Sequence, residues 1–225
     1  FSGVDLSGYD LILSNKSGFC HGVKTPAGAV HICYCLAPTR FLWQYDAYRA
    51  REALGKGVDL ALRPLLGPLR RWDYAAAQRV HHFIAISENV RQRIRTIYGR
   101  ESDVIYPPVE TAALPVSTRD EGFALIVSAL VPYKRIDLAV EAFRQLHRRL
   151  VVIGDGPDLS RLRSMAGPAV EFLGWQPDAV VRDHFARCRY VIFPGEEDFG
   201  IVPVEAMACG KPVVSTALPT SLDAR

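Results

Sequence analysis

No stretch of this chain approaches the ~18 consecutive apolar residues of a membrane-spanning helix, and no signal-peptide pattern opens it. A cytoplasmic protein is the expectation. Charge of one sign is scarce as well: 27 Lys and Arg stand against 24 Asp and Glu, a formal surplus of +3. So small a surplus excludes a dedicated nucleic-acid binder, whose domain carries a much stronger basic stripe. Cysteine is sparse and odd in number. Cys20, Cys33, Cys35, Cys188 and Cys209 include no CxxC pair, which removes the usual zinc spacing and argues against a disulfide framework. Buried free thiols are expected, with Cys33 and Cys35 on one face of a strand.

What is present is an ordinary globular composition, 49% hydrophobic and 23% charged over 225 residues, enough for one large domain or two small ones. The second half reads most clearly. Apolar runs Phe123–Leu130, Leu150–Gly154, Val170–Gly174, Tyr190–Pro194 and Pro212–Thr216 have strand length. Between them lie helical patterns at Asp137–Arg149 (apolar at Leu138, Ala139, Ala142, Phe143 and Leu146), Leu159–Met165, Ala179–Ala186 and Pro203–Cys209. Continuous apolar strands alternating with helices predict a doubly wound parallel sheet.

The first half offers strands at Tyr9–Ser14, Val30–Cys35, His82–Ser87 and Asp103–Tyr106. A long helical stretch, Phe41–Arg79, is expected to break at Pro64 and Pro68, and a helix at Glu88–Tyr98 follows Ser87 as N-cap. The proline-rich, polar segment 110–122 reads as a linker. The expected domains are therefore residues 1–109 and 123–225. From Arg40 to Arg100 there are twelve Lys and Arg against five Asp and Glu, either solvated helices or a basic surface for anionic lipid or a phosphate-bearing acceptor.

The strongest chemical signal is EEDFGIVPVEAMACGKPVVS, residues 196–215. An acidic cluster follows a strand, and then a glycine, Gly200, precedes a helix that Pro203 is expected to open with Glu205 in its first turn. Ligands of open parallel sheets sit outside the carboxyl ends of the strands. The free N–H groups of a helix start attract an anion, and acceptor-only carboxylates such as Glu197 and Glu205 suit a polyhydroxylated ligand. Glu205 could instead only complement the helix dipole. The turn Gly154-Asp155-Gly156 after a strand fails as a dinucleotide fingerprint, because Leu159 stands where the third glycine belongs. That argues against a Rossmann-type oxidoreductase binding NAD.

These residues resemble the acidic signature of family 4 retaining glycosyltransferases of GT-B architecture. LVPYKRIDLAVEAF (130–143), VVIGDGPDLSRL (151–162) and VEFLGW (170–175) agree in order and spacing. VHICYCLAPTRFLW (30–43) and RIRTIYGRESDVIYPPV (93–109) resemble mannosyltransferases of O-antigen and exopolysaccharide assembly. The resemblance implies two Rossmann-like α/β domains. The first would be incomplete, lacking a glycine-rich strand–helix unit, and the second would lack its C-terminal helices, so that both ends look cut. It implies transfer of a hexose, mannose favoured, from a nucleotide diphosphate sugar, GDP-mannose favoured, to a glycan or lipid-linked acceptor, with no metal or other cofactor.

By the same resemblance Glu205 binds the ribose hydroxyls, Glu197 holds the donor sugar beside the reacting carbon, and Lys134 neutralises the diphosphate. Backbone N–H groups at Phe199, Gly200 and Ile201 contact sugar and phosphates, Gly154 and Gly156 turn beside the base, and Arg135 is secondary. His21 and Arg40 are candidates for the acceptor side, while Trp43 and Trp72 read as packing residues. Two departures stand out: Ala129 replaces the arginine that shares the diphosphate with the lysine, and Leu36 replaces a histidine. They leave a rival reading, a nucleotide-sugar binder that has lost turnover.

Overall fold

The computed structural model describes residues 3–51, 55–114 and 116–215. The final residue of the last expected strand, Thr216, and the rest of the C-terminal residues lie outside them. Two compact units divide at Pro107 and Pro108; both are parallel α/β sheets, which matches the expected fold class.

In the first unit, strands β1 (Leu11–Lys16), β2 (Val30–Cys35), β3 (His82–Ala85) and β4 (Ser102–Val104) lie in that order, all parallel. Alternation along β2 buries His31, Cys33 and Cys35 on one face. The remaining thiols Cys188 and Cys209 are buried too, but Cys20 is only partly so. Helices α1 (Arg40–Trp43), α2 (Tyr45–Arg51) and α3 (Lys56–Gln78) follow β2, and α4 (Glu88–Tyr98) follows β3. Ser87 caps α4 by accepting from the Val90 N–H at 3.2 Å, and Gly99 ends it in the left-handed region that a side chain disfavours.

The expected break at Pro64 and Pro68 does not occur: α3 runs through both. Pro64 and Pro68 are exposed, as is Leu60, so the carbonyls freed by the missing N–H groups face water. Tertiary contacts then hold the helix near each end. Asp59 accepts from the Tyr45 hydroxyl at 2.9 Å and from Arg49 at 2.8 Å.

The other anchor, Asp73, is fully buried. Its carboxylate accepts from the Thr39 hydroxyl at 2.9 Å, the Trp43 indole at 2.7 Å and the Tyr98 phenol at 2.7 Å. The buried Lys16 ammonium donates to the Gly18 carbonyl (2.7 Å) and Thr39 (2.9 Å), and lies 3.7 Å from Asp73. His21 joins the same network through Nε2, 3.2 Å from the Asp73 carbonyl.

The second unit is a five-stranded parallel sheet in the order β7 (Val170–Gly174), β6 (Leu150–Ile153), β5 (Ala124–Val127), β8 (Tyr190–Phe193), β9 (Val213–Ser215). Alternate residues build a core on each face. Leu125, Val151, Ile153 and Val191 pack with Phe185 of α7 (Asp178–Arg187) and Ala206 of α8 (Ile201–Ala208). Ala124, Ile126, Leu150 and Val152 pack with Phe143 of α5 (Ile136–Leu146) and Leu162 of α6 (Leu159–Met165). On α5 the buried stripe is Ile136, Ala139, Val140 and Phe143, whereas Leu138 and Leu146 are exposed.

The segment read as a linker is fastened to this unit. Leu114 sits in its core, the Ser117 N–H donates to the Cys209 carbonyl, and Glu121 and Asp120 pair with Arg187 and Arg189. Its polar residues find charged partners here.

Replacing Asp73 with alanine would leave the Lys16 charge buried without its counter-charge. We expect a loss of about 3–5 kcal/mol, read as a lower urea midpoint for the first unit, with the second unit's transition unchanged.

Candidate functional site

In a parallel sheet ordered 7-6-5-8-9, consecutive connections leave β5 in opposite directions, and the switch point lies between β5 and β8. Loops diverge there at the carboxyl ends and leave room for a ligand. Val127 and Ser128 end β5, Phe193, Pro194 and Gly195 end β8, and Lys134 joins these residues around one small hollow.

Lys134 closes a 3₁₀ turn, Pro132–Lys134. Its ammonium pairs with the Glu197 carboxylate and lies 5.3 Å from the centre of the Tyr133 ring. Both side chains of the pair are mostly buried, 15% exposed for Lys134 and 25% for Glu197. The lysine and the acid singled out in the sequence therefore meet. Arg135 takes a left-handed conformation (φ 53°) and points its guanidinium at Asp137, 3.2 Å away, instead of joining Lys134.

Three glycines hold the loop that carries Lys134. A Cβ on Gly154 would strike the Ser128 carbonyl, and one on Gly156 the Leu130 carbonyl. On Gly195 it would sit 2.9 Å from the Lys134 carbonyl oxygen. The Leu130 N–H donates to the Asp155 carbonyl at 2.8 Å, and the Asp158 N–H donates back to Leu130 at 3.0 Å. Close approach of two backbones is what Gly154 and Gly156 permit.

Helix α8 begins at Ile201, two residues before Pro203, so Glu205 falls in the second turn and not the first. Pro203 still lies where a missing N–H costs no helical bond. Gly200 precedes the helix in the left-handed region (φ 84°), without a side-chain cap. Phe199 is buried, whereas Ile201 is exposed. Glu205 is half-buried; desolvation, with Asp178 nearby, pushes its carboxyl above the usual range. A carboxylate whose ionised form is disfavoured gains from hydroxyl donors.

In the first unit, His21 is wholly buried, and desolvation with the Lys16 charge lowers it to about 4. It is a neutral packing histidine at neutral pH rather than an exposed acceptor contact. Arg40 begins α1 and is partly exposed. Trp43 serves Asp73, and Trp72 packs edge-on to Phe19 with centroids 5.4 Å apart. Lys16, Thr39, Asp73 and Tyr98 escaped the sequence reading. The signal was a lysine on the buried parity of an apolar strand. Among the described residues no helix is long and apolar enough to cross a membrane, and no group of three or more His, Cys, Asp or Glu is placed to hold a metal ion.

Residues 122–224 match the family described as Glycosyl transferases group 1. The D-inositol 3-phosphate glycosyltransferase of Mycobacterium bovis is 32% identical over 244 residues, covering 93% of this chain and 47% of that protein. Over residues 122–224 the chain is therefore similar to the group 1 glycosyltransferases. An uncharacterized glycosyltransferase of Methanocaldococcus jannaschii is 29% identical over 137 residues, covering 58% of this chain and 36% of that one. The chain thus spans less than half the length of these curated relatives.

Two solved structures share the fold of this chain. HepE of Anabaena, crystallised with UDP and glucose, has a TM-score of 0.68 at 19% identity, covering 96% of this chain and 61% of that one. Sucrose-phosphate synthase from Thermosynechococcus elongatus has a TM-score of 0.73 at 18% identity, covering 94% and 57%. Two Rossmann-like α/β units are the GT-B architecture expected from the sequence.

The raised Glu205 carboxyl has a consequence for stability. The unfolded chain ionises this group at lower pH than the folded one does, so its contribution falls as pH rises past 4.5. Glu205→Gln should raise the thermal midpoint at pH 7 and lose that advantage as pH approaches 4, measured by melting across pH.

Proposed function

We propose that the protein is a retaining glycosyltransferase that moves a hexose, with mannose favoured, from a nucleotide diphosphate sugar to a hydroxyl of a glycan or lipid-linked acceptor. The observation that carries this reading is the Lys134–Glu197 pair at the open ends of β5 and β8, beside the start of α8 that bears Glu205. One cation, a run of helix N–H groups and two acceptor carboxylates match the chemistry of a sugar diphosphate. GDP-mannose is the favoured donor on sequence resemblance. The UDP complex of the Anabaena protein makes UDP-sugars the first comparison. A cytoplasmic location with peripheral contact at an anionic membrane fits the basic excess between Arg40 and Arg100.

In the reaction the bond between the anomeric carbon and the phosphate oxygen breaks, and its electron pair leaves on the diphosphate. The acceptor oxygen bonds to the same face of that carbon and gives its proton to the departing phosphate. Negative charge grows on the leaving group, so the Lys134 ammonium and the α8 N–H groups stabilise the transition state more than the ground state. Glu197 orients the sugar hydroxyls, and Glu205 the ribose hydroxyls. This set supplies the electrostatic work without a metal, so transfer should persist in chelator.

Titration calorimetry with GDP, UDP, ADP and NAD tests the donor side. One nucleoside diphosphate should bind, NAD should not, and Glu205→Ala should weaken binding about 10- to 150-fold, the equivalent of one charge-assisted hydrogen bond. Lys134→Ala should lower the transfer rate about 100- to 1,000-fold. Equal affinity for all ligands, or for none, would defeat the reading.

The binder without turnover keeps one observation in its favour. Ala129 is exposed on the loop between β5 and Lys134, where an arginine side chain would have room. Ala129→Arg should tighten diphosphate binding about tenfold or more. If it does so while neither form transfers sugar to any hydroxyl acceptor, including water, the second reading is the correct one.

A further inference from the structure

We infer that the Lys134–Glu197 ion pair makes this site select sugar-bearing nucleotides over the bare nucleoside diphosphates that transfer leaves behind. The inference rests on the donor-site reading above. The Lys134 ammonium, assigned above to the phosphates, is paired with the very carboxylate assigned to the sugar. Both groups are mostly buried, so their attraction is less screened than at an open surface.

A diphosphate reaching Lys134 takes the ammonium from Glu197. The carboxylate accepts hydrogen bonds and donates none. Separated from its cation and facing added negative charge, it is left unsatisfied, and the cost is that of splitting a partly buried pair. A nucleotide sugar carries hydroxyl donors that the displaced carboxylate can accept, and so restores what the diphosphate removes. A bare diphosphate brings charge without those donors. Arg135 is engaged with Asp137, and the backbone of Lys134 is backed by Gly195, so the exchange falls to the lysine side chain while its main chain stays in place. Discrimination therefore resides in a repulsive element, an orphaned carboxylate in the wrong complex. The same element would speed release of the spent nucleotide.

The experiment is titration calorimetry of UDP against UDP-glucose and of GDP against GDP-mannose, without acceptor, on the unaltered protein, Glu197→Gln and Lys134→Gln. The unaltered protein should bind a nucleotide sugar more tightly than its own diphosphate. Glu197→Gln should tighten the diphosphate about 5- to 10-fold and leave the nucleotide sugar no tighter, so the ratio collapses. Lys134→Gln should weaken both. A folded Glu197→Gln protein with an unchanged ratio, while Glu205→Ala still weakens every ligand, overturns this inference and spares the donor-site reading. Failure of all four ligands to bind the unaltered protein overturns both. Should Glu197→Gln lower the thermal midpoint, Glu197→Asp, with its carboxylate one methylene short of Lys134, decides by the same ratio.

Discussion

The backbone of residues 128–134 is gripped from two sides, and the placement of the chemistry depends on that grip. The turn after β6 presses Gly154 and Gly156 against the Ser128 and Leu130 carbonyls, and the loop after β8 presses Gly195 against Lys134. Side chains at these glycines would force the loops apart. Reciprocal hydrogen bonds between Leu130, Asp155 and Asp158 then set the register. A flexible lysine becomes a positioned charge because its main chain has nowhere else to go. The parallel sheet supplies the frame, since all three loops leave its carboxyl edge and the order 7-6-5-8-9 brings them together at the switch point.

The first unit solves a different problem with buried charge. Lys16 and Asp73 have no exposure, and their cost is offset by hydrogen bonds to Thr39, Trp43, Tyr98 and Gly18. With Lys16 on β1 and Asp73 on α3, these partners come from the loop after β1, the loop after β2, α1 and α4. One carboxylate thereby ties together elements far apart in sequence. His21 lies against it and stays neutral at ordinary pH because burial and the Lys16 charge both oppose its proton. A histidine that looked available for chemistry in the sequence is part of the packing.

Legibility followed periodicity. The five strands of the second unit and helix α4 with its Ser87 cap were readable because buried runs and caps are local signals. Pro64 and Pro68 misled because the local cost of helical proline, a lost N–H bond and a ring against the preceding turn, is set here against tertiary anchors at Asp59 and Asp73 and carbonyls that face water. Segment 110–122 looked like a linker by composition; its charges are matched by Arg187 and Arg189, which only the fold brings near. In the candidate site, the pairing of Lys134 with Glu197 follows from two residues 63 positions apart meeting at adjacent strand ends. Nothing in either local stretch announces it. The left-handed turn at Arg135 that sends the second cation toward Asp137 is likewise invisible to helical spacing.

Charge in the second unit suits the occupant proposed for it. Glu205 is held in surroundings that disfavour its ionised form, and Glu197 borrows the cation that a phosphate would need. Each carboxylate can accept from a ligand rich in hydroxyl donors. A structural ion pair is ordinarily closed by hydrogen bonds on every free lone pair, as Asp73 is. Asp73, closed on both oxygens by partners from distant elements, holds a fold, whereas Glu197 and Glu205 lie at the strand ends where the proposed donor would bind.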